Sequence, residues 1–204
     1  MNPDRDADLL AATIAETIAL HEAVSRSGAR PVAAAAAAIV EALGRGRTLL
    51  VFGNGGSAAD AQHVAAELVG RFERPRRALA ALALTTDTSV LTSIGNDDGY
   101  ERVFVRQVEA LGRPGDVALG ITTSGLSPNV IMGLETARGR GLRTIALTGR
   151  DGGHAGRVAE IHLNVPAEST ARVQEAHRTI LHIICDIVER DMSEAGGAPD
   201  VAHA

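Results

Sequence analysis

The chain has 204 residues, 45% hydrophobic and 22% charged, a globular balance and a length that buries a single-domain core without covalent staples. Lys and Arg number 20 against 25 Asp and Glu, a net charge of −5, and there are three Phe, one Tyr and no Trp. That excludes the basic field and the stacking platform of a nucleic-acid binder, and the single Cys185 excludes an internal disulfide framework.

The opening MNPDRDADLL is acidic and lacks the apolar core of a signal peptide. The longest wholly apolar run, Val32 to Val40, is far short of a membrane span, so the expected compartment is the cytoplasm. From about Asp8 to Leu43 the chain is rich in Ala, with Leu, Ile and Val at three-to-four spacing, which predicts helices. Ser25 to Pro31 reads as a break between two of them, and Gly44 as the glycine just past their end. The rhythm then changes. Thr48 to Gly53 is a short apolar run suited to a buried strand, Asn54-Gly-Gly-Ser57 a loop, and Ala58 to Arg71 a helix. Ala78 to Thr85 and Asp116 to Ile121 are further strands, the second followed by the loop Thr122 to Asn129. A helix from about Val130 to Arg140 ends at Gly141, with strands at Arg143 to Thr148 and Ile161 to Val165. A last helix spans about Ala171 to Met192, where Val173, Ile180, Ile183, Ile184, Ile187 and Val188 are read as one apolar face.

Strands alternating with helices predict a three-layer α/β/α sandwich with a parallel central sheet. We assign residues 1–44 to a helical segment packing on the domain or on an oligomer, 45–192 to the domain, and the Gly- and Ala-rich 193–204 to a flexible tail. The outer helices carry more apolar surface than one small sheet needs, which points to burial between chains.

Ligands of open parallel sheets bind beyond the carboxyl ends of the strands. Two strand ends here carry unusual loops. Asn54-Gly55-Gly56-Ser57 places two glycines and a hydroxyl directly before a helix, where unpaired N–H groups and the helix dipole favour an anion. Thr122, Thr123, Ser124 and Ser127 put four hydroxyls within six residues around Gly125, again before a helix. Either loop alone reads as a tight turn with an N-cap; no Lys follows the glycines as in a Walker loop, and the dinucleotide spacing is missing. Together they favour a phosphorylated small molecule. His63 and Glu67, four apart on the helix after the first loop, share a face, as a plain hydrogen-bonded pair or as proton-transfer groups. Gln174, Glu175, His177, Arg178 and His182 give the last helix more polarity than packing requires. Gln174 and His182 are about 12 Å apart along an ideal helix, too far to meet on one metal without extended side chains or a frayed first turn. Asn96-Asp97-Asp98-Gly99 reads as a further polar loop.

These residues resemble a known signature. Phe52-Gly-Asn-Gly-Gly-Ser-Ala-Ala-Asp-Ala-Gln-His63, with Glu67 and Gly70-Arg71, is similar to that of the sedoheptulose 7-phosphate isomerases, or phosphoheptose isomerases, of the sugar-isomerase (SIS) domain superfamily. The similarity continues through Thr85-Thr-Asp-Thr, Ile94-Gly-Asn-Asp97, Gly115-Asp-Val, Gly120-Ile-Thr-Thr-Ser-Gly125, Leu147-Thr-Gly149, Gln174-Glu-Ala-His177 and His182. The resemblance implies conversion of D-sedoheptulose 7-phosphate to D-glycero-D-manno-heptose 7-phosphate, the entry step to activated heptoses, by a zinc-containing homotetramer with sites at subunit interfaces. It implies His63, Glu67, Gln174 and His182 as metal ligands. It implies Asn54, Gly55, Gly56, Asn96, Asp97, Thr122, Thr123, Ser124 and Ser127 around the sugar phosphate, with Glu67 and Gln174 beside it, Ser57 fitting the loop chemistry and Arg71 near the site. Glu67 is then the base and His182 the partner acid of an enediol mechanism, although one group cannot be zinc ligand and free base at the same instant, so the order of the two stays open. The serine loop departs from the common pattern at Leu126, where many members carry Asn or another polar residue. A non-catalytic SIS protein that binds a replication initiator or another partner, and an isomerase of another sugar phosphate, are the alternatives; the first does not keep the full acid–base set.

Overall fold

The computed structural model describes residues 3–196. Helices α1 (Pro3–Ser27) and α2 (Ala29–Gly44) lead the chain. They break at Gly28, and Pro31 falls in the first turn of α2, where a missing N–H costs nothing. Helix α2 takes in Gly44, and the residue with positive φ is Gly46 (φ +70°), two positions beyond the expected terminator. Then follow β1 (Leu49–Gly53), α3 (Gly56–Val69), β2 (Ala81–Ala83) and α4 (Thr88–Asp97). A 3-10 turn at Tyr100–Arg102 leads into α5 (Val103–Leu111), β3 (Val117–Thr122), α6 (Pro128–Gly139), β4 (Arg143–Gly149), α7 (Gly153–Val158), β5 (Ile161–Val165) and α8 (Thr170–Gly196).

Three of these helices differ from the sequence reading. Helices α4, α5 and α7 were not among the predicted elements, and Asn96 and Asp97 close the last turn of α4 instead of standing in a loop. The start of α4 is set by Asp87, whose carboxylate accepts the Val90 N–H at 3.0 Å. Helix α8 runs past Met192 to Gly196, so only 197–204 of the expected tail remain, and they lie outside the described residues. Ile183, expected on the apolar face of α8, is exposed in the fold.

The sheet is wholly parallel, in the order β2-β1-β3-β4-β5. Side chains alternate across it as the pleat requires. Leu49 and Val51, Val117, Leu119 and Ile121, and Ile145 and Leu147 pack in one core with α2, α3 and α8. Leu50, Phe52, Ala118 and Ala146 enter the other with α5, α6 and α7. Helix α1 is tied to α8 through His21 Nε2 and Thr179 Oγ1 at 2.9 Å and by the Thr17 hydroxyl, which donates to Glu175 at 3.0 Å. Because α3 crosses on the first face and α5, α6 and α7 on the second, the chain turns opposite ways from β1 and β3, and a crevice opens where their carboxyl ends part. Among the described residues no helix is long and apolar enough to cross a membrane.

Candidate active site

Both loops singled out in the sequence stand at this crevice. After β1, Gly55 (φ +55°) opens α3 with no side-chain oxygen capping it. The Ser57 N–H turns back to Asn54 O at 3.0 Å, and the Ser57 side chain is buried under the loop. After β3, the buried Thr122 hydroxyl meets Ser127 Oγ at 2.9 Å and Ser124 Oγ at 3.4 Å, gathering three of the four hydroxyls, with Thr123 half-buried beside them. Gly125 (φ +68°) makes the turn possible twice over: a Cβ there would be strained by its φ and would collide with the backbone of Gly152 and Gly153. Ser127 begins α6, again without a side-chain cap. Two uncapped helix N-termini therefore flank one crevice, an arrangement that suits a phosphate. Leu126 is 56% exposed and contributes only its N–H, to Ser124 Oγ at 3.2 Å, so the departure at this position leaves the hydroxyl cluster intact.

The loops are locked to one another by a pair that the sequence reading did not single out. Asn54 Nδ2 donates to Asn129 Oδ1 at 2.8 Å and Asn129 Nδ2 returns to Asn54 Oδ1 at 2.9 Å. Asn129 is buried, and its Oδ1 also accepts the Val130 N–H. The Tyr100 hydroxyl donates to Asn54 Oδ1 at 3.3 Å, which brings the segment carrying Asn96 and Asp97 toward the β1 loop. Those two residues are exposed, and Asn96 Nδ2 bonds Asp97 Oδ1 at 2.7 Å. The signal for Asn129 was its place after Ser127-Pro128, where it reads as part of an ordinary helix start.

Helices α3 and α8 run side by side in the same direction, and their facing residues form rungs. Gln174 lies against Gly56, with no room for a side chain at that glycine. Arg178 donates to the buried Asp60 at 2.7 Å. His63 Nε2 stands 2.7 Å from His182 Nε2, and Glu67 Oε1 is 3.5 Å from the same His63 atom. Gly56, Asp60, Gln174, Arg178 and His182 line an open cavity of about 610 Å³ along this groove. The Phe72 ring stands behind His182, centroids 5.4 Å apart. Glu67, His63 and His182 are thus brought together, while Gln174 sits two rungs away and Arg71 is exposed beyond Gly70, at the far end of α3 from the glycine loop. His177 is wholly buried; its Nε2 donates to Thr148 O at 2.9 Å, its Nδ1 has no partner among the described residues, and burial lowers its pKa. It ties α8 to β4.

Two imidazoles, a carboxylate and an amide are donors that zinc takes. Yet among the described residues no group of three or more His, Cys, Asp or Glu side chains stands at metal-holding spacing. His63 and His182 are bonded to each other instead. Their 2.7 Å contact is a hydrogen bond, in which one Nε2 carries the proton the other accepts. Two nitrogens on one tetrahedral zinc, each at about 2.0–2.1 Å, stand farther apart, at about 3.3 Å. The donor types fit the metal, and holding it would require the two rings to separate.

Comparison with known proteins agrees with this fold. The SIS-domain family model matches residues 14–149. A phosphoheptose isomerase from Citrifermentans bemidjiense is 59% identical over 165 residues, 81% of this chain and 86% of that protein. The solved phosphoheptose isomerase of Neisseria gonorrhoeae superposes with a TM-score of 0.86 at 46% identity, over 90% of this chain and 98% of that one. The Francisella tularensis phosphoheptose isomerase gives a TM-score of 0.87 at 37% identity, over 91% and 98% of the two chains. By sequence and by fold, the chain belongs to the phosphoheptose isomerase family of SIS-domain proteins.

Proposed function

We propose that the chain is a ketose–aldose isomerase that converts D-sedoheptulose 7-phosphate to D-glycero-D-manno-heptose 7-phosphate through an enediol. The observation that supports this is that the first loop, through Gly56, and His182 line one groove between α3 and α8. The crevice offers Asn54, Gly55, Gly56 and Ser57 from the first loop and Thr122, Thr123, Ser124 and Ser127 from the second, with Asn96 and Asp97 on the segment held by Tyr100. The groove then leads past Gln174 to His182, with His63 beside that ring and Glu67 next to His63.

Isomerisation moves one proton from C1 to C2. Glu67 removes the C1 proton as the C2 carbonyl oxygen gains one from His182, which gives the enediol. The same carboxyl returns its proton to C2 while the O1 proton leaves to His182, and the aldose forms with both groups restored. The residues that would hold zinc are His63, Glu67 and His182, with Gln174 joining if it turns from Gly56; bound there, the metal would supply Lewis-acid polarisation of the sugar oxygens, and Glu67 and His182 transfer protons only while they are not its ligands. We assign the active form to a homotetramer with its sites at subunit interfaces, where Arg71 and the outer helices meet a second copy. A cytoplasmic setting fits, since a charged sugar phosphate does not cross a bilayer unaided.

The experiment is isomerase activity on sedoheptulose 7-phosphate by the chelated protein, with and without added zinc, beside His182→Ala. Turnover restored by zinc and lost in the variant supports the assignment. A folded protein without turnover on that sugar but active on a shorter one moves the reading to the other substrate.

A further inference from the structure

Beyond the His63–His182 rung, α3 ends and residues 70–78 fold back across α8. The carboxylate of Glu189, wholly buried, accepts three consecutive backbone N–H groups: Phe72 at 2.9 Å, Glu73 at 2.7 Å and Arg74 at 2.7 Å. Arg76, with its side chain 2% exposed, sets Nε 3.2 Å from Glu189 Oε1. Its other nitrogens reach the end of α3, Nη2 donating to Glu67 O at 2.6 Å and Nη1 to Leu68 O at 2.9 Å. The same Nη1 also reaches Arg77 O at 3.0 Å and Gly70 O at 3.3 Å. A cation at a helix C-terminus is favourable in itself. Burial pushes the Glu189 carboxyl up, but the three N–H donors and Arg76 outweigh it and hold the group ionised below its ordinary range.

A buried ion pair adds little net stability over an apolar pair of the same shape. What this one does is geometric. Its hydrogen bonds all end on the backbone of residues 67–77, the end of α3 that carries Glu67 and the turn after it; Arg74 Nη1 adds a side-chain contact to Glu189 at 3.9 Å. Arg76 grips the carbonyl of Glu67 itself, and Glu189 holds the N–H of Phe72, whose ring backs His182.

We propose that Arg76 and Glu189 are positioning residues for the isomerisation, fixing the carboxylate of Glu67 and the ring wall behind His182 from beneath the groove. The proposal rests on the reading that Glu67 and His182 transfer the protons. Neither Arg76 nor Glu189 touches the groove, so substrate binding should not depend on them.

The test uses Glu189→Gln, which keeps the shape and loses the charge, and Arg76→Lys, which keeps the charge and cannot span the carbonyls, each in the full-length protein. In folded variants kcat should fall about ten- to a hundredfold, with KM for sedoheptulose 7-phosphate held within about threefold. Hydrogen exchange at the Phe72, Glu73 and Arg74 amides should speed up alongside. Arg76→Met combined with Glu189→Leu removes both charges and guards against misfolding of a single variant; it should show the same loss of kcat. Wild-type kcat in any folded variant of this set overturns the proposal. So does failure of all three to fold, since the pair would then be structural alone. Glu67→Gln in the same assay separates the two layers. If it keeps full activity, the reading of the site fails; if it is inactive while Glu189→Gln turns over normally, only the positioning role fails.

Discussion

The Nε2 atoms of His63 and His182 are joined at 2.7 Å across the α3–α8 groove, with Glu67 Oε1 at 3.5 Å from the first of them. His182 is hydrogen-bonded to His63 and Glu67 stands at ion-pair distance from His63, so the two groups proposed to transfer the proton lie side by side. Glu67→Gln and His182→Ala should each lower kcat by about 10²–10⁴-fold, the usual contribution of a general acid or base. Steady-state kinetics on sedoheptulose 7-phosphate checks this, and a normal kcat for Glu67→Gln removes the carboxylate from the mechanism.

The reciprocal amide pair between Asn54 and Asn129 is expected to act on binding. Asn129→Leu removes both of the Asn129 bonds from the Asn54 amide, leaving it the Tyr100 hydroxyl alone, and frees the β1 loop from α6. Losing a buried polar partner costs about 1–3 kcal/mol. If that cost falls on the bound state, KM rises roughly tenfold with kcat little changed. A loss confined to kcat would place Asn129 nearer the chemistry than the fold shows.

How the sequence and the fold correspond is clear from these residues. The carboxyl-end loops were legible because Gly-Gly-Ser and a run of hydroxyls violate the apolar pattern at strand ends. The pairing of His63 with Glu67 followed from helical spacing alone. Asn129 and Tyr100 were not legible, since their roles depend on partners 75 and 46 residues away. Helix α4 escaped for a different reason: it is short, buries no residue fully, and its Asp87 cap precedes polar Thr and Ser where an apolar rhythm would announce a helix. The Arg76–Glu189 pair is likewise invisible in sequence, being two ordinary charges 113 positions apart that become wholly enclosed only when the 70–78 segment folds over α8.

Gly125 should tolerate no side chain. Gly125→Ala forces a Cβ at φ +68° against the Gly152 carbonyl. A strained backbone position of this kind costs about 1–3 kcal/mol. The loop that gathers Thr122, Ser124 and Ser127 should also open, so urea denaturation is expected to show lower stability and the assay a raised KM. Wild-type values for both would mean that the loop relaxes freely.

On α1, Leu10, Ile14 and Ile18 recur every four residues and are 64%, 50% and 55% exposed, beside Leu9 at 67%. An apolar stripe of this kind on one helix face is expected to be covered by a second copy of the chain. Replacing Leu10, Ile14 and Ile18 together by Ser should leave the fold intact and shift sedimentation to a smaller species. If the wild-type chain itself sediments as a monomer, that use of the stripe is excluded.

His177 is expected to contribute to the pH dependence of stability on the acid side of neutrality. Burial lowers its folded-state pKa, and among the described residues only Nε2 is bonded, as a donor to Thr148 O. His162 is lowered for the same reason. The unfolded chain therefore binds protons that the folded chain refuses, and stability falls as pH drops below the ordinary histidine value of 6.5. The slope reaches at most about 1.4 kcal/mol per pH unit for each such histidine, and vanishes above that value. Glu189 acts in a lower window, because its depressed pKa keeps its contribution until the pH falls below the ordinary carboxyl value of 4.5. His177→Gln retains an N–H for the Thr148 carbonyl and removes the titrating ring, so urea denaturation at pH 7.5 and 5.5 should give a smaller difference than in the wild type. Equal differences in the two proteins would show that the buried imidazole takes no part in acid unfolding.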